Sequence, residues 1–312
     1  MNQDLTKGPV MRSMLRFAVP MILGNLLQQC YNIADTLIVG KFLGANALAA
    51  VGSAFTLMTF LTSILLGMCM GSGAVFSIRF GEKDEKGLKE GVYASFVLIA
   101  GITLLLNVLS FACLDGIRIF LRVPEEVWDT MRQYLAIIFV GITATFLYNY
   151  FASLLRAIGN SVVPLIFLAV SAVLNITLDL WFVLGLKRGV VGAAEATVIA
   201  QYISGMGIAL YSLLKCPVFR NRAVRCRVRW SCIREIAGFS ILTCIQQSVM
   251  NLGILMVQGL VNSFGSVVMA AFAAAVKIDA FAYMPVQDFG NAFSTFIAQN
   301  YGAKKKSASE AD

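Results

Sequence analysis

Four oxygen-bearing side chains, Asp35, Asn175, Asp179 and Thr197, lie inside long apolar stretches of this 312-residue sequence. An ionisable group there costs at least about 2.5 kcal/mol at a helix centre and is a functional candidate by default. Asp35 precedes Gly40 by five residues, Asp179 precedes Gly185 by six, and Thr197 follows Gly189 by eight. At a rise of about 1.5 Å per residue, all three lie roughly 8–12 Å below one face of a helical bundle. Asn175 is four residues before Asp179, so the two project from one helix face, one turn apart. Two carboxylates, an amide and a hydroxyl at one depth form an oxygen-rich cup suited to a proton or to a small hard cation such as sodium. Structural readings stand beside this one. Asn175 and Asp179 could bond across helices, and Thr197 could bond its own backbone. Glu195 points roughly 200° away from Thr197 and sits near a helix start, where the dipole stabilises it.

A second polar set lies in the last apolar stretch, where Lys277, Asp279 and Asp288 are joined by Gln287 and Asn291 and, from the first stretch, by Gln28 and Asn32. They line a water-filled cleft or satisfy one another in a closed network. Arg156 follows an apolar stretch and reads as an anchor at the membrane surface. Several chemistries are excluded. The sequence has no His, so no His relay or His-based metal cluster exists. No GxxxxGK[ST] loop occurs, so no ATP-driven motor is encoded. The seven cysteines show no CxxC spacing and read as small apolar fillers and reduced thiols. Asp35 and Asp179 are a formal pair for intramembrane aspartyl hydrolysis, but that chemistry needs a GxGD loop and Asp179 sits in Leu178-Asp179-Leu180. The chain therefore reads as a non-enzyme without a cofactor.

The elements that position these groups follow from composition. The sequence is 58% hydrophobic and 13% charged, with mean hydropathy +0.78, more apolar surface than a soluble core of this size can hide. Runs long enough to cross a bilayer predict an all-α polytopic membrane protein with eight transmembrane helices, near 15–40, 48–79, 91–113, 130–154, 162–184, 190–214, 236–262 and 267–300. The first run is far too long for a signal peptide. Lys and Arg gather on one side, at Lys7, Arg12, Arg16, Arg79, Lys83, Lys86, Lys89, Arg156, the stretch 215–234 and Lys304 to Lys306; the other side has Lys41, Arg118, Arg122, Arg132, Lys187 and Arg188. By the positive-inside rule both termini are cytoplasmic, in a cell inner membrane. The net charge of +8 is then topological, and membrane lipid, not nucleic acid, is the expected partner.

The chain also repeats itself. An offset of 221 residues carries Gly44 to Gly265, Ala49-Ala50 to Ala270-Ala271, Phe60 to Phe281, Gly81 to Gly302 and Lys83 to Lys304. This predicts a complete six-helix first lobe over 1–221 and a partial second lobe over 222–312, holding two helices and a polar tail. Because each copy begins on the same side, the repeats are parallel, related by an axis along the membrane normal, an arrangement found in secondary transporters.

At these residues the sequence resembles the multidrug and toxic compound extrusion (MATE) family, bacterial branch. The resemblance rests on Phe17-Ala18-Val19-Pro20 through Gln28-Gln29, Tyr31-Asn32, Asp35 and Val39-Gly40, then Leu48-Ala49-Ala50-Val51-Gly52, Leu155 through Asn160, Leu174-Asn175 with Leu178-Asp179, Gly192-Ala193-Ala194 with Ala196-Thr197, and Ser263-Phe264-Gly265. It implies a twelve-helix, two-lobe exporter of organic cations and drugs that works by alternating access in exchange for inward protons or sodium, here truncated in its second lobe. It also implies ion coupling at Asp35, Asn175, Asp179 and Thr197, a bendable first helix at Pro20, small cationic or amphipathic substrates, and a monomer. An inactive truncation, a membrane-assembly partner or a flippase of lipid-linked substrates is the alternative.

Overall fold

The computed structural model describes residues 5–6, 9–220 and 230–304, and every regular element in them is helical. Two long helices come first, α1 over Val10–Leu43 and α2 over Ala45–Gly81. They are followed by α3 (Glu85–Ala112), a short α4 (Leu114–Phe120), α5 (Glu125–Val140) and α6 (Ile142–Ala157). Next come α7 (Val162–Asp179), continued by a π-helical segment at Leu180–Gly185, then α8 (Gly189–Lys215) and a single turn, α9 (Pro217–Arg220). Two long helices close the chain, α10 (Trp230–Asn262) and α11 (Ser266–Gly302). Local chemistry sets several starts. Asp84 caps α3 by accepting from the Gly87 amide at 2.9 Å, and Glu125 and Glu126 fill the first turn of α5 behind Pro124.

Six helices, α1, α2, α3, α7 with its π segment, α8 and most of α10, are long and apolar enough to cross a membrane. The expected fourth span is not one straight helix: α5 and α6 meet at 43°, and only the two together are long and apolar enough to cross a membrane. Gly141 sits at that corner, where a Cβ would lie 2.7 Å from Gln201 Oε1. Removing the side chain lets the corner approach α8. The expected eighth span falls on α11, whose segment Ser266–Val276 is apolar but shorter than a membrane crossing; Asp279, Pro285 and Asp288 follow on the same helix. Of the sequence features above, Lys7, the basic run 221–229 with Cys226, and everything after Lys304 lie outside the described residues.

The 221-residue offset has a counterpart in the backbone. Helices α2 and α11 begin and end at positions exactly one offset apart, and each spans 37 residues. Gly44 and Gly265, which precede them, have φ of 90° and 92°; Lys83 and Lys304, which follow, have φ of 59° and 56°. Two separate stretches of chain thus reach the same left-handed conformations at equivalent points.

Helix α2 is central and packs against α10 and α11 most extensively, and also against α6, α3, α5 and α1. Its contact with α10 is set by missing side chains: a Cβ on Gly67 or on Gly71 would stand 2.5 Å from the Cα of Cys244 or Ser240. Without a hydrophobic drive between helices in lipid, such close backbone approach is what holds them. Polar ties add to it. Ser72 and Ser240 hydroxyls meet at 3.1 Å, and Arg79 pairs with Glu235 at 2.7 Å. At the far end, Gln258 Nε2 donates to Ser53 Oγ at 3.2 Å and to Asn262 Oδ1 at 2.7 Å, and Asn262 Nδ2 donates to the Leu121 carbonyl at 2.8 Å.

Candidate functional site

Helices α1, α7 and α8 pack pairwise, and the four sequence-derived oxygen bearers lie on these three. Asp179 is fully buried, Asn175 is 1% exposed and Asp35 8% exposed, while Thr197 is half-buried. Asn175 Nδ2 donates to Thr197 Oγ1 at 3.1 Å, joining α7 to α8. The other end of the amide, Oδ1, is buried and has no hydrogen-bond partner among the described residues. Asp35 and Asp179 share a neighbourhood, since Tyr31 and Tyr134 each lie within electrostatic range of both. Tyr31 is hydrogen-bonded to Gln28, one turn back on α1. The result is a cluster fed by four helices, because Tyr134 comes from α5.

Two features of this cluster were not read from the sequence. Tyr134 carries no spacing signal, as it lies on a helix whose neighbours in sequence do not enter the site. The second is the π segment: Asp179 is the last α-helical residue before it. In that segment the Leu186 amide donates to the Trp181 carbonyl at 2.9 Å, a widened turn of the kind common at functional sites. Glu195 does not join the cluster. Its carboxylate pairs with Arg188 at 2.6 Å, at the start of α8.

The second polar set divides. Asp288 is 2% exposed and accepts a short hydrogen bond from Asn25 Nδ2, whereas Asp279 is exposed on the same helix. Gln28, Asn32, Gln287 and Asn291 are half-buried; the Lys277 side chain lies outside the described part. Pro20 sits inside the unbroken helix α1. Arg156 is more than a surface anchor, because its Nε is buried and its charge acts on Asp288 and on Tyr148. Asn25 was missed, yet a helix-period stripe of Asn25, Gln28, Gln29, Asn32 and Asp35 along α1 is the signal that reveals it.

A family model described as MatE matches residues 20–181 and 240–311, covering most of the chain and every helix that forms the cluster except α8. The chain belongs to the MATE family. Among curated MATE-like relatives, it is 31% identical over 304 residues to YpnP of Bacillus subtilis, named a probable multidrug resistance protein, with 96% of this chain and 67% of the relative covered. It is 25% identical over 307 residues to the multidrug export protein MepA of Staphylococcus aureus, covering 96% and 66%. Among solved structures, it superposes with a TM-score of 0.83 and 21% identity on a MATE protein crystallised in complex with MaD3S, covering 98% of this chain and 69% of the other. The chain thus has the MATE fold and spans about two thirds of the length of the relatives it matches. It is a multi-pass membrane protein of a transporter family, not an enzyme.

Proposed function

We propose that this MATE chain works as an ion-coupled antiporter that exports organic cations or drugs by alternating access, with the buried cluster of Asp35, Asn175, Asp179 and Thr197 as its coupling site. The observation that carries this reading is two carboxylates, both at least nine-tenths buried and within electrostatic range of the same two tyrosines, with Asp179 one helix turn from an amide oxygen that has no hydrogen-bond partner among the described residues. Burial favours the neutral form of a carboxyl and thereby suits a proton exchanger. The same oxygens, with Asn175 Oδ1 and the Thr197 hydroxyl, also suit a desolvated sodium ion, which takes hard oxygen ligands. Protonation or ion entry repacks α1 against α7 and α8 and weakens the hold on a cationic substrate. The coupling ion is the only small inorganic partner this scheme needs.

The finer topology belongs to the same proposal. Eight helices cross the inner membrane, with α5 and α6 as one broken crossing and both termini in the cytoplasm; residues 1–221 form the first lobe and 222–312 the leading part of a parallel second. Pro20 gives α1 freedom to bend. The protein acts as a monomer in contact with lipid and with small cationic or amphipathic substrates.

Gradient-driven dye efflux from proteoliposomes tests the coupling site, with the chain joined to a family-type second lobe and each gradient imposed separately. Asp179→Asn keeps size and hydrogen bonding and removes the ionisable group. It is expected to bind a cationic dye as before and to lose at least about tenfold in driven efflux, a loss typical of removing a group that acts in the transport step; Asp35→Asn follows it and Glu195→Gln leaves efflux unchanged. Undiminished efflux from both Asp variants moves the coupling site elsewhere.

A further inference from the structure

Helices α1 and α11 come from different repeats, and they meet as an antiparallel ladder of four-residue steps. At the end of the bundle, the Leu5 amide donates to Gln299 Oε1 at 3.3 Å, Asn300 Nδ2 donates to the Leu5 carbonyl at 3.3 Å, and Gln299 Nε2 donates to the Ala157 carbonyl at 2.7 Å. Next comes an apolar seal in which Phe17, Ala18 and Met21 are buried with Ala292 and Phe296. Its last rung is polar: Asn25 on α1 and Asp288 on α11, each four residues further along its helix. Beyond that rung, α1 carries the half-buried Gln28 and Asn32 and the buried Gln29.

The last rung is incompletely satisfied. Asp288 Oδ2 has no hydrogen-bond partner among the described residues, and the same is true of Gln29 Oε1, one turn above Asn25, and of Arg156 Nε. Buried polar atoms in a permanent scaffold are nearly always paired, and each exception calls for an explanation. Arg156 supplies the counter-charge to Asp288, yet no ion pair between them is closed. A contact that is buried, charged and only half-bonded is held by a small margin. Backbone yield is also at hand, because Pro285 stands three residues before Asp288 inside α11 and removes one helix hydrogen bond there.

We propose that Asn25 and Asp288, with Arg156 as counter-charge, form the latch of a gate between the two repeats. Closed, the latch holds α1 to α11 and shuts the cleft toward the end of the bundle that carries Leu5 and Gln299. Opened, it releases the Phe17–Phe296 seal, and the cleft opens at that end. The gate rests on the transport reading for its purpose, but it stands on contacts that do not involve Asp35 or Asp179.

Hydrogen exchange of the full 312-residue chain in lipid nanodiscs, read by mass spectrometry without substrate or gradient, tests it. Asn25→Leu leaves the Asp288 carboxylate buried without its donor. Peptides covering 14–25 and 288–300 are expected to exchange about tenfold faster, the effect of a lost buried hydrogen bond to a charged group, while the α5 core around Val127, Met131 and Leu135 keeps its wild-type protection. Asp288→Asn preserves volume and the bond to Asn25 but removes the charge facing Arg156, and gives a smaller acceleration confined to the same peptides; combining it with Arg156→Gln adds nothing further. Unchanged exchange in Asp288→Asn and in Asn25→Leu overturns the latch, as does acceleration that spreads equally into α5. Because no transport is measured, failure of the latch leaves the coupling site standing, and a transport failure leaves the latch standing.

Discussion

At the residue scale, the cluster depends on one side chain facing two ways. Asn175 spends its donor on Thr197 and keeps its acceptor in reserve, so the α7–α8 tie and the proposed ion ligand are opposite ends of one amide. A double-mutant cycle separates these roles. Thr197→Val keeps the shape and deletes the acceptor of the Asn175 bond, and Asn175→Leu removes both ends of the amide. Each is expected to lower thermal stability by about 1 kcal/mol, and the double variant by clearly less than the sum, because one bond is lost only once. Strict additivity of the melting shifts would mean that the hydrogen bond contributes nothing. Both variants are expected to weaken gradient-driven efflux, Asn175→Leu the more, since it removes the spare amide oxygen as well as the tie to Thr197.

At the scale of elements, α2 is the spine because its glycines let other helices come close. Gly67 and Gly71 are one turn apart and face the backbone of Cys244 and Ser240, also one turn apart, at a distance that no Cβ can share. Gly67→Val and Gly71→Val are therefore expected to force α10 away from α2 and cost about 1–3 kcal/mol each. Gly101 in α3 has nothing within 4 Å of a built Cβ, and Gly101→Ala is expected to be neutral or slightly stabilising. Thermal melts of the three purified variants in one detergent decide it, and equal melting temperatures would remove close approach as the cause of the α2–α10 contact. The corner at Gly141 belongs to the same class, since there too a missing side chain determines where a helix can go.

For the whole molecule, the contacts of Leu5, Ala157 and Gln299 gather the start of the chain and the ends of α6 and α11 at one face. Reporter fusions after Lys83, Lys215 and Lys304 are expected to behave as cytoplasmic, and fusions near Lys41, Arg122 and Lys187 as external. An external signal at Lys215 would overturn the number of crossings in the first lobe. A second expectation concerns the cleft. Helices α10 and α11 pack on α2, whereas the proposed first lobe draws on all the helices before them to enclose its half of the space. The 312 residues expressed alone are therefore expected not to lower ethidium accumulation in a sensitised cell, and a fused family-type second lobe is expected to restore export. Export by the 312-residue chain itself would show that two helices suffice for the second wall.

What could be read directly from the sequence was whatever depends on periodicity and composition. Apolar runs are set by lipid thickness, so the long helices and, through its motifs, the chain's family were legible in the sequence. Asp35, Asn175 and Asp179 were legible too, because a charge or amide in an apolar run is expensive and therefore conspicuous. Tyr134 was not, since a tyrosine in such a run is cheap and the approach of α5 to α1 and α7 is a long-range matter. Nor was Asn25 against Asp288: the two are 263 residues apart, and which polar faces meet depends on how the repeats dock. The bend between α5 and α6 and the π turn after Asp179 likewise carry no signal in the apolar periodicity of their segments. Local chemistry determined which helices exist and which groups are costly to bury; only packing decided which of those groups face one another.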